Sequence, residues 1–215
     1  MKTLTLYLIR HGQTEWNVQG LMQGWGDSPL TAQGIHAARL TGRALCDIPF
    51  AAAYSSCLPR TIPTARQILH ERAAHVPLFQ HTGLNEQHFG DWEGRKVEDI
   101  RATAEFQQLV NAPAAYRAET NGGETWAQLA TRAQAAIDDI VRVHESGNLL
   151  IVSHGHTLRL LLALMQGATW QNHREAGRSE TLHNTAINIV RYQAENDDDS
   201  GHFQVERVND TAHLA

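Results

Sequence analysis

Apolar residues recur along this chain at two spacings, and the spacing changes at glycines, prolines and short polar clusters. Near the start, Leu4-Thr5-Leu6-Tyr7-Leu8-Ile9 is a largely apolar run of strand length, which predicts a buried strand over Thr3 to Ile9. A loop with Gly20, Gly24, Gly26 and Pro29 follows, long enough to be functional, and leads to a helix starting near Thr31 that puts Ile35, Ala38, Gly42 and Leu45 on one face. Phe50 to Ser55 reads as a second, short strand. Ser56-Cys57-Leu58-Pro59 then turns the chain into a helix carrying Thr61, Ala65, Ile68 and Leu69. Late in the chain Leu149-Leu150-Ile151-Val152 repeats the strand signal ahead of a helical stretch beginning near Thr157, and Ala186 to Tyr192 with Phe203 to Val208 read as a terminal hairpin around the acidic turn Asp197-Asp198-Asp199-Ser200-Gly201. Strands alternating with helices predict an α/β protein: three layers, α/β/α, around a mostly parallel central sheet.

The middle of the chain is different. From about Glu86 to Ser146 it is polar and mostly helical, as expected of a cap inserted into the α/β domain. Its clearest helix carries Trp126, Leu129, Ala130, Ala133, Ile137, Ile140 and Val141 on one stripe, with Thr125 and Gln128 at capping-box spacing. No repeat or Pro/Gly-rich linker divides the chain, so residues 1–215 are expected to form one domain, with 86–146 as its cap.

Composition narrows the partners. With 215 residues, 42% of them hydrophobic, one well-buried domain is affordable. A net charge of -5 and a pI near 6.2 argue against a nucleic-acid coat or a polybasic membrane anchor, while leaving room for a local basic pocket. The first apolar segment is too short for a secretory core and runs into Arg10 rather than a small-residue cleavage site, and no segment reaches membrane-spanning length, so a cytoplasmic protein without nucleic-acid or membrane partners is expected. Cys46 and Cys57 lack metal or redox spacing and read as reduced structural thiols.

The candidate chemistry lies where strands end. Arg10-His11-Gly12 terminates the first strand, Ser153-His154-Gly155 terminates the late one, and Arg60 sits at a strand-to-helix junction. In open α/β sheets the ligand crevice lies outside the carboxyl ends of the strands, which would gather His11, Arg60 and His154 at one place. Neighbouring arginines penalise a second positive charge, keeping an imidazole neutral and nucleophilic near pH 7, and guanidinium forks match phosphate oxygens. Taken singly, His36, His70, His75, His81, His144, His173, His202 and His213 read as surface or turn residues. His154-Gly155-His156 could hint at metal, but no third ligand follows at a recognisable spacing, so no metal is expected.

These residues carry a family resemblance. Leu8-Ile9-Arg10-His11-Gly12-Gln13-Thr14-Glu15-Trp16-Asn17 resembles the signature of the histidine phosphatase superfamily, the group that holds cofactor-dependent phosphoglycerate mutases and many small phosphatases. Leu30-Thr31 with Gly34, Ser55-Ser56 with Arg60 and Thr64-Ala65, Leu84-Asn85-Glu86 with Gly90, Trp92, Glu93 and Gly94, Gly122-Gly123-Glu124 and Ser153-His154-Gly155 resemble its later motifs in the same order, across about Leu4 to Tyr192.

The resemblance implies a phosphoglycerate mutase-like fold and a phosphohistidine mechanism without metal or other cofactor. By it His11 is the nucleophile; Arg10, Arg60 and His154 surround the phosphate; Asn17, Gln23, Gly24 and Gly155 contribute to the substrate pocket; and Glu86 is the acid for the departing oxygen and then the base for water. It favours a phosphatase acting on a small phosphoester, because the chain is shorter than the mutases and Phe89-Gly90-Asp91-Trp92-Glu93-Gly94 is closer to phosphatase forms of the acid motif. The alternatives are a cofactor-dependent phosphoglycerate mutase and a catalytically silent phospho-ligand sensor. The acid motif also resembles that of α-ribazole phosphatases. Met22, Trp25, His88, Phe89 and Trp92 flank the motifs, either as pocket walls or as packing for the cap.

Overall fold

Parallel pairing between distant strands organises the chain. In the computed structural model, which describes residues 1–70, 72–195 and 201–215, the elements run β1 (Lys2–Arg10), α1 (Glu15–Gln19), α2 (Ala32–Ala44), β2 (Phe50–Ser55), α3 (Thr61–Leu69), β3 (Leu78–Gln80), α4 (Val97–Ile100), α5 (Ala104–Asn111), α6 (Trp126–Arg142), β4 (Ser146–Ser153), α7 (Gly155–Met165), β5 (Ile187–Ala194) and β6 (His202–Asp210). Short 3₁₀ turns at Thr82–Leu84, Gly90–Trp92 and Ala212–Leu214 complete them. The sheet order is β3-β2-β4-β1-β5-β6. Pairings from β3 through β1 are parallel, and β5 runs antiparallel to both β1 and β6.

The predicted α/β architecture is present, and its mostly parallel sheet ends in the predicted antiparallel hairpin. Of the acidic turn, only Gly201 lies among the described residues. Three-residue β3 is not among the predicted strands: its apolar stretch, Val76-Pro77-Leu78-Phe79, is short and interrupted by proline. Strand alternation sends side chains to both faces. Leu4, Leu6 and Leu8 of β1 and Leu149 and Ile151 of β4 join a cluster with α6 and α7, whereas Tyr7, Ile9, Leu150 and Val152 pack with Ala38 of α2 and Ala65 and Ile68 of α3. A register shift between Phe50 and Ala52 lets Phe50 share a face with Ala53.

Helix α6 follows its sequence closely. Thr125 and Gln128 make the reciprocal capping box, and every residue of the predicted stripe is buried. The segment 86–146 has no separate core: Trp92, Ile100, Leu109 and Tyr116 belong to the same apolar cluster as α6 and β1. Among the described residues no helix is long and apolar enough to cross a membrane. Cys46 and Cys57 are free, but both are exposed, so neither is a core thiol.

The start of α2 is locked against the loop after β1. Thr31 caps α2 by accepting from Gly34 N at 2.9 Å and its backbone N–H donates to the Gln13 carbonyl at 2.9 Å. A Cβ on Gly34 would lie 2.2 Å from the Gln13 carbonyl oxygen, and one on Gly12 would lie 2.8 Å from that of Gly34. Gly34→Ala is therefore expected to cost about 1–3 kcal/mol through forced backbone separation, measured as a lowered urea midpoint at unchanged slope.

Candidate active site

Four parallel strands each deliver one group at their carboxyl ends. His11 directly follows β1, and His154 lies between β4 and α7. Arg60 follows the turn after β2, and Glu86 follows the 3₁₀ turn after β3. The β1/β4 register pairs Arg10 with Ser153, and His11 N donates to the Ser153 carbonyl at 2.9 Å, so the two histidines are neighbours with ring centroids 5.2 Å apart.

His11 is buried, and its Nδ1 lies 2.8 Å from the Gly12 carbonyl oxygen. A carbonyl only accepts, so Nδ1 carries the proton and Nε2 keeps its lone pair. Burial, then Arg60 and Arg10, push the His11 pKa well below 6.5, which outweighs the Gly12 hydrogen bond. His154 is fully buried; its Nε2 is 2.7 Å from Ser56 Oγ, and its Nδ1 has no partner. Burial, then the charge of Arg60, and competition with His11 for a proton likewise hold it well below 6.5, with Arg10 adding to the effect.

Arg60 is buried behind the glycine loop. Its Nη2 donates to the Gly24 carbonyl at 2.6 Å and its Nη1 to the Gly26 carbonyl at 3.0 Å and Asp27 Oδ1 at 3.1 Å, while its Nε has no partner. Arg10 donates from Nη1 to the Leu182 carbonyl at 2.6 Å; its Nε is also unpartnered. Gly155 packs on this guanidinium, 3.3 Å from Nε to an added Cβ.

Glu86 completes the start of α7. Its Oε2 accepts from His156 N at 3.1 Å; Oε1 accepts from Thr157 N and Oγ1, both at 3.1 Å, and from Gln87 N at 2.9 Å. A carboxylate at a helix N-terminus satisfies otherwise open N–H groups and faces the positive end of the dipole. This explains why α7 begins at Gly155, ahead of the predicted start near Thr157. Arg132 steadies the same segment by a two-bond fork to Glu124, at 2.6 and 2.7 Å, and by donating to the carbonyls of Gly83, Asn85 and Glu86.

A cavity of about 220 Å³ is lined by Arg10, His11, Asn17, Gln23, Glu86 and Gly155, together with Met22, Phe89, His156, Arg159, Arg174 and others. It thus gathers six of the nine predicted site residues. Arg60, His154 and Gly24 are not on its wall: Arg60 and His154 lie buried behind it, and Gly24 enters through its carbonyl. Asn17 and Gln23 are held by the turn that starts α1, where Thr14 Oγ1 donates to Gln23 Oε1 at 2.7 Å and Thr14 N to Asn17 Oδ1 at 3.1 Å.

A match over residues 6–211 to the sequence profile of the histidine phosphatase superfamily, branch 1, accounts for this geometry. The chain belongs to the histidine phosphatase superfamily. Within it, a 2,3-bisphosphoglycerate-dependent phosphoglycerate mutase of Cytophaga hutchinsonii is 33% identical over 159 residues, 73% of this chain and 75% of the mutase. Among solved structures, Bacillus stearothermophilus YhfR is 34% identical with a TM-score of 0.87 over 99% of this chain and all of that one. The α-ribazole phosphatase of Shigella flexneri is 29% identical with a TM-score of 0.78 over 95% of this chain and 96% of that one. The phosphoglycerate mutase-like fold expected from the superfamily motifs is the fold observed.

Glu93, named in the acid motif, accepts from the backbone N–H groups of Trp25 and Phe89, each at 2.9 Å, and of Gly26, tying the glycine loop to that motif. Asn184 donates to the His11 carbonyl at 2.8 Å from a segment otherwise without pattern. Of the suspected wall residues, Met22 and Phe89 face the cavity, Trp25 lies tilted against His88, and Trp92 packs with Phe106 and Tyr116. His154 and His156 diverge to Ser56 and Gln87. His173, expected at the surface, is buried against Trp126.

These buried imidazoles set a pH dependence of stability. The pKa values of His11, His154 and His156 lie well below 6.5 and that of His173 is lowered to about 4, so the unfolded chain binds protons the native state refuses. Stability should be fully present above about pH 6.5 and fall as pH drops below it, by up to about 1.4 kcal/mol per unit for each such histidine. Urea unfolding at pH 7 and pH 5 checks this, with His173→Asn flattening the fall.

Proposed function

We propose that this protein is a phosphomonoesterase that hydrolyses a small phosphorylated metabolite through a phosphohistidine on Nε2 of His11. The observation that carries the reading is the His11 tautomer, with Nδ1 tied to Gly12 and Nε2 left as the nucleophile on a cavity wall. Nε2 attacks phosphorus, the ester P–O bond breaks, and Glu86 gives a proton to the departing oxygen. Water then loses a proton to Glu86 and attacks phosphorus, and the P–N bond breaks to return the lone pair to His11. Oε2 of Glu86 has a single protein donor and is the oxygen with room for that proton.

Arg10, on the cavity wall, has a buried Nε without a partner, which supports a phosphoryl oxyanion as its missing acceptor, since such groups are rarely left unpaired; Arg60 Nε and His154 Nδ1, buried behind that wall, are likewise unpartnered. In the tautomer whose Nε2 accepts from Ser56, Nδ1 of His154 is a free donor. General acid catalysis supplies about 10²–10⁴-fold, against roughly 10²¹ for the slowest phosphate monoesters, so fixed cations and in-line placement must supply most of the acceleration. Because side chains neutralise the developing charge, a chelator should leave the rate unchanged.

The name of the Cytophaga relative favours a second reading, a phosphoglycerate mutase. A mutase must shield its phosphoenzyme from water, and the polar middle segment here offers only the four-residue α4 and the eight-residue α5 before α6. Orthophosphate release measured beside 2,3-bisphosphoglycerate-dependent isomerisation of 3-phosphoglycerate decides between the two; fast isomerisation would overturn the phosphatase reading. His11→Ala should abolish both the turnover and the base-stable, acid-labile phosphoenzyme. Glu86→Gln should slow phenyl phosphate by about 10²–10⁴-fold and p-nitrophenyl phosphate far less.

A further inference from the structure

The cavity continues from His11 to a second pair of cations that the phosphoryl chemistry leaves unused. Arg159 reaches it from α7 and Arg174 from the segment after α7. Their surroundings are built to aim them. Arg174 Nη2 donates to Nε2 of His156 at 2.9 Å, its guanidinium carbon lies 4.9 Å from the Trp126 ring centre, and its Nε is buried without a partner. His156 can accept only because it is neutral: its Nδ1 donates to Gln87 Oε1 at 2.8 Å, and its ring stacks on Trp126 and meets the Phe89 edge. Arg159 donates from Nε to Ser179 Oγ at 2.8 Å, and Ser179 in turn donates to the His173 carbonyl.

Among the described residues, no carboxylate forms an ion pair with either arginine. Glu180 acts on Arg159 and Glu86 on Arg174 only through space. Burial and the charge of Arg159 lower Arg174 to about 9, which leaves it charged at pH 7. A largely buried guanidinium, Arg174, beside the half-buried Arg159 and without a counter-ion, is costly unless something anionic meets the pair.

We propose that Arg159 and Arg174 form a second anion subsite, so that the substrate is a phosphomonoester carrying a further anionic group, a carboxylate or a second phosphate, at its other end. The placement of the phosphoryl group at His11 rests on the phosphatase reading above. His156 is the positioning residue that aims Arg174. At about 220 Å³, the cavity is below the roughly 300 Å³ lower end of common ligand pockets, so a short carbon skeleton separates the two anions.

The test separates binding from turnover by using His11→Ala protein. Calorimetry compares 3-phosphoglycerate with glycerol 3-phosphate, which differ by a carboxylate, and 1,3-propanediol bisphosphate with its monophosphate, which differ by a phosphate. The expected result is about 10- to 100-fold tighter binding of one or both doubly anionic members, the range of a charge-assisted pair; which pair shows it identifies the second anion. Adding Arg174→Gln or Arg159→Gln should collapse that ratio to under about threefold, Arg174→Lys should keep part of it, and His156→Gln should preserve more than His156→Phe. Equal affinities within both pairs, or a ratio that survives Arg174→Gln, would overturn the subsite. Absence of phosphate release from every ester by the unsubstituted protein would instead sink the phosphatase reading, because the affinity ratio does not depend on turnover.

Discussion

The register between β1 and β4 is the constraint on which the site depends. Because Arg10 lies opposite Ser153 in a parallel pair, the residues that follow each strand, His11 and His154, leave the sheet side by side. A shift of β1 by one residue would reverse its faces, sending Leu4, Leu6 and Leu8 to the α2/α3 side. The same apolar alternation that covers two faces of the sheet therefore sets the approach of two imidazoles to 5.2 Å. The geometry of the candidate site is thus a by-product of core packing, and the core does not permit a near alternative.

Electrostatics then decides what the assembled groups are. Burial and two guanidiniums keep His11 and His154 unprotonated, and the Gly12 carbonyl selects the tautomer of His11. Backbone carbonyls restrain the arginines, Gly24 and Gly26 for Arg60 and Leu182 for Arg10, and the Asp27 carboxylate pairs with Arg60 besides. Carbonyl oxygens orient Arg10 without cancelling its charge, so the cavity wall carries Arg10, Arg159 and Arg174 against the carboxylate of Glu86.

Strand ends were legible in the sequence because an apolar run that stops at His-Gly is a local pattern, and α6 because its stripe and capping box agree. The positions of Asn17, Gln23 and Glu86 came from ordered motifs, and the cavity holds all three. What could not be read depends on distant contacts. β3 has only a short apolar stretch, broken by Pro77, and becomes a strand by pairing with β2. Arg132 lies on the polar side of a helix and matters only because the fold puts the Glu86 turn beside it. His173 lies in an unpatterned stretch, yet Trp126 buries it. Arg60 was legible as a residue but not in its placement, since its bonds to the glycine loop appear only once α3 packs beneath that loop.

On the proposed mechanism Glu86 holds two posts at once. The oxygens suited to proton transfer are also those that close the open amides of α7, a helix whose Leu158, Leu160, Leu161 and Leu162 are buried in the core. A descendant that abandoned catalysis could not discard this side chain freely, because an apolar replacement would strip the helix of its first-turn acceptor. Persistence of the acid in a chain of this architecture is thus weak testimony to activity, and the free nitrogen of His11, which no structural bond employs, is the stronger witness.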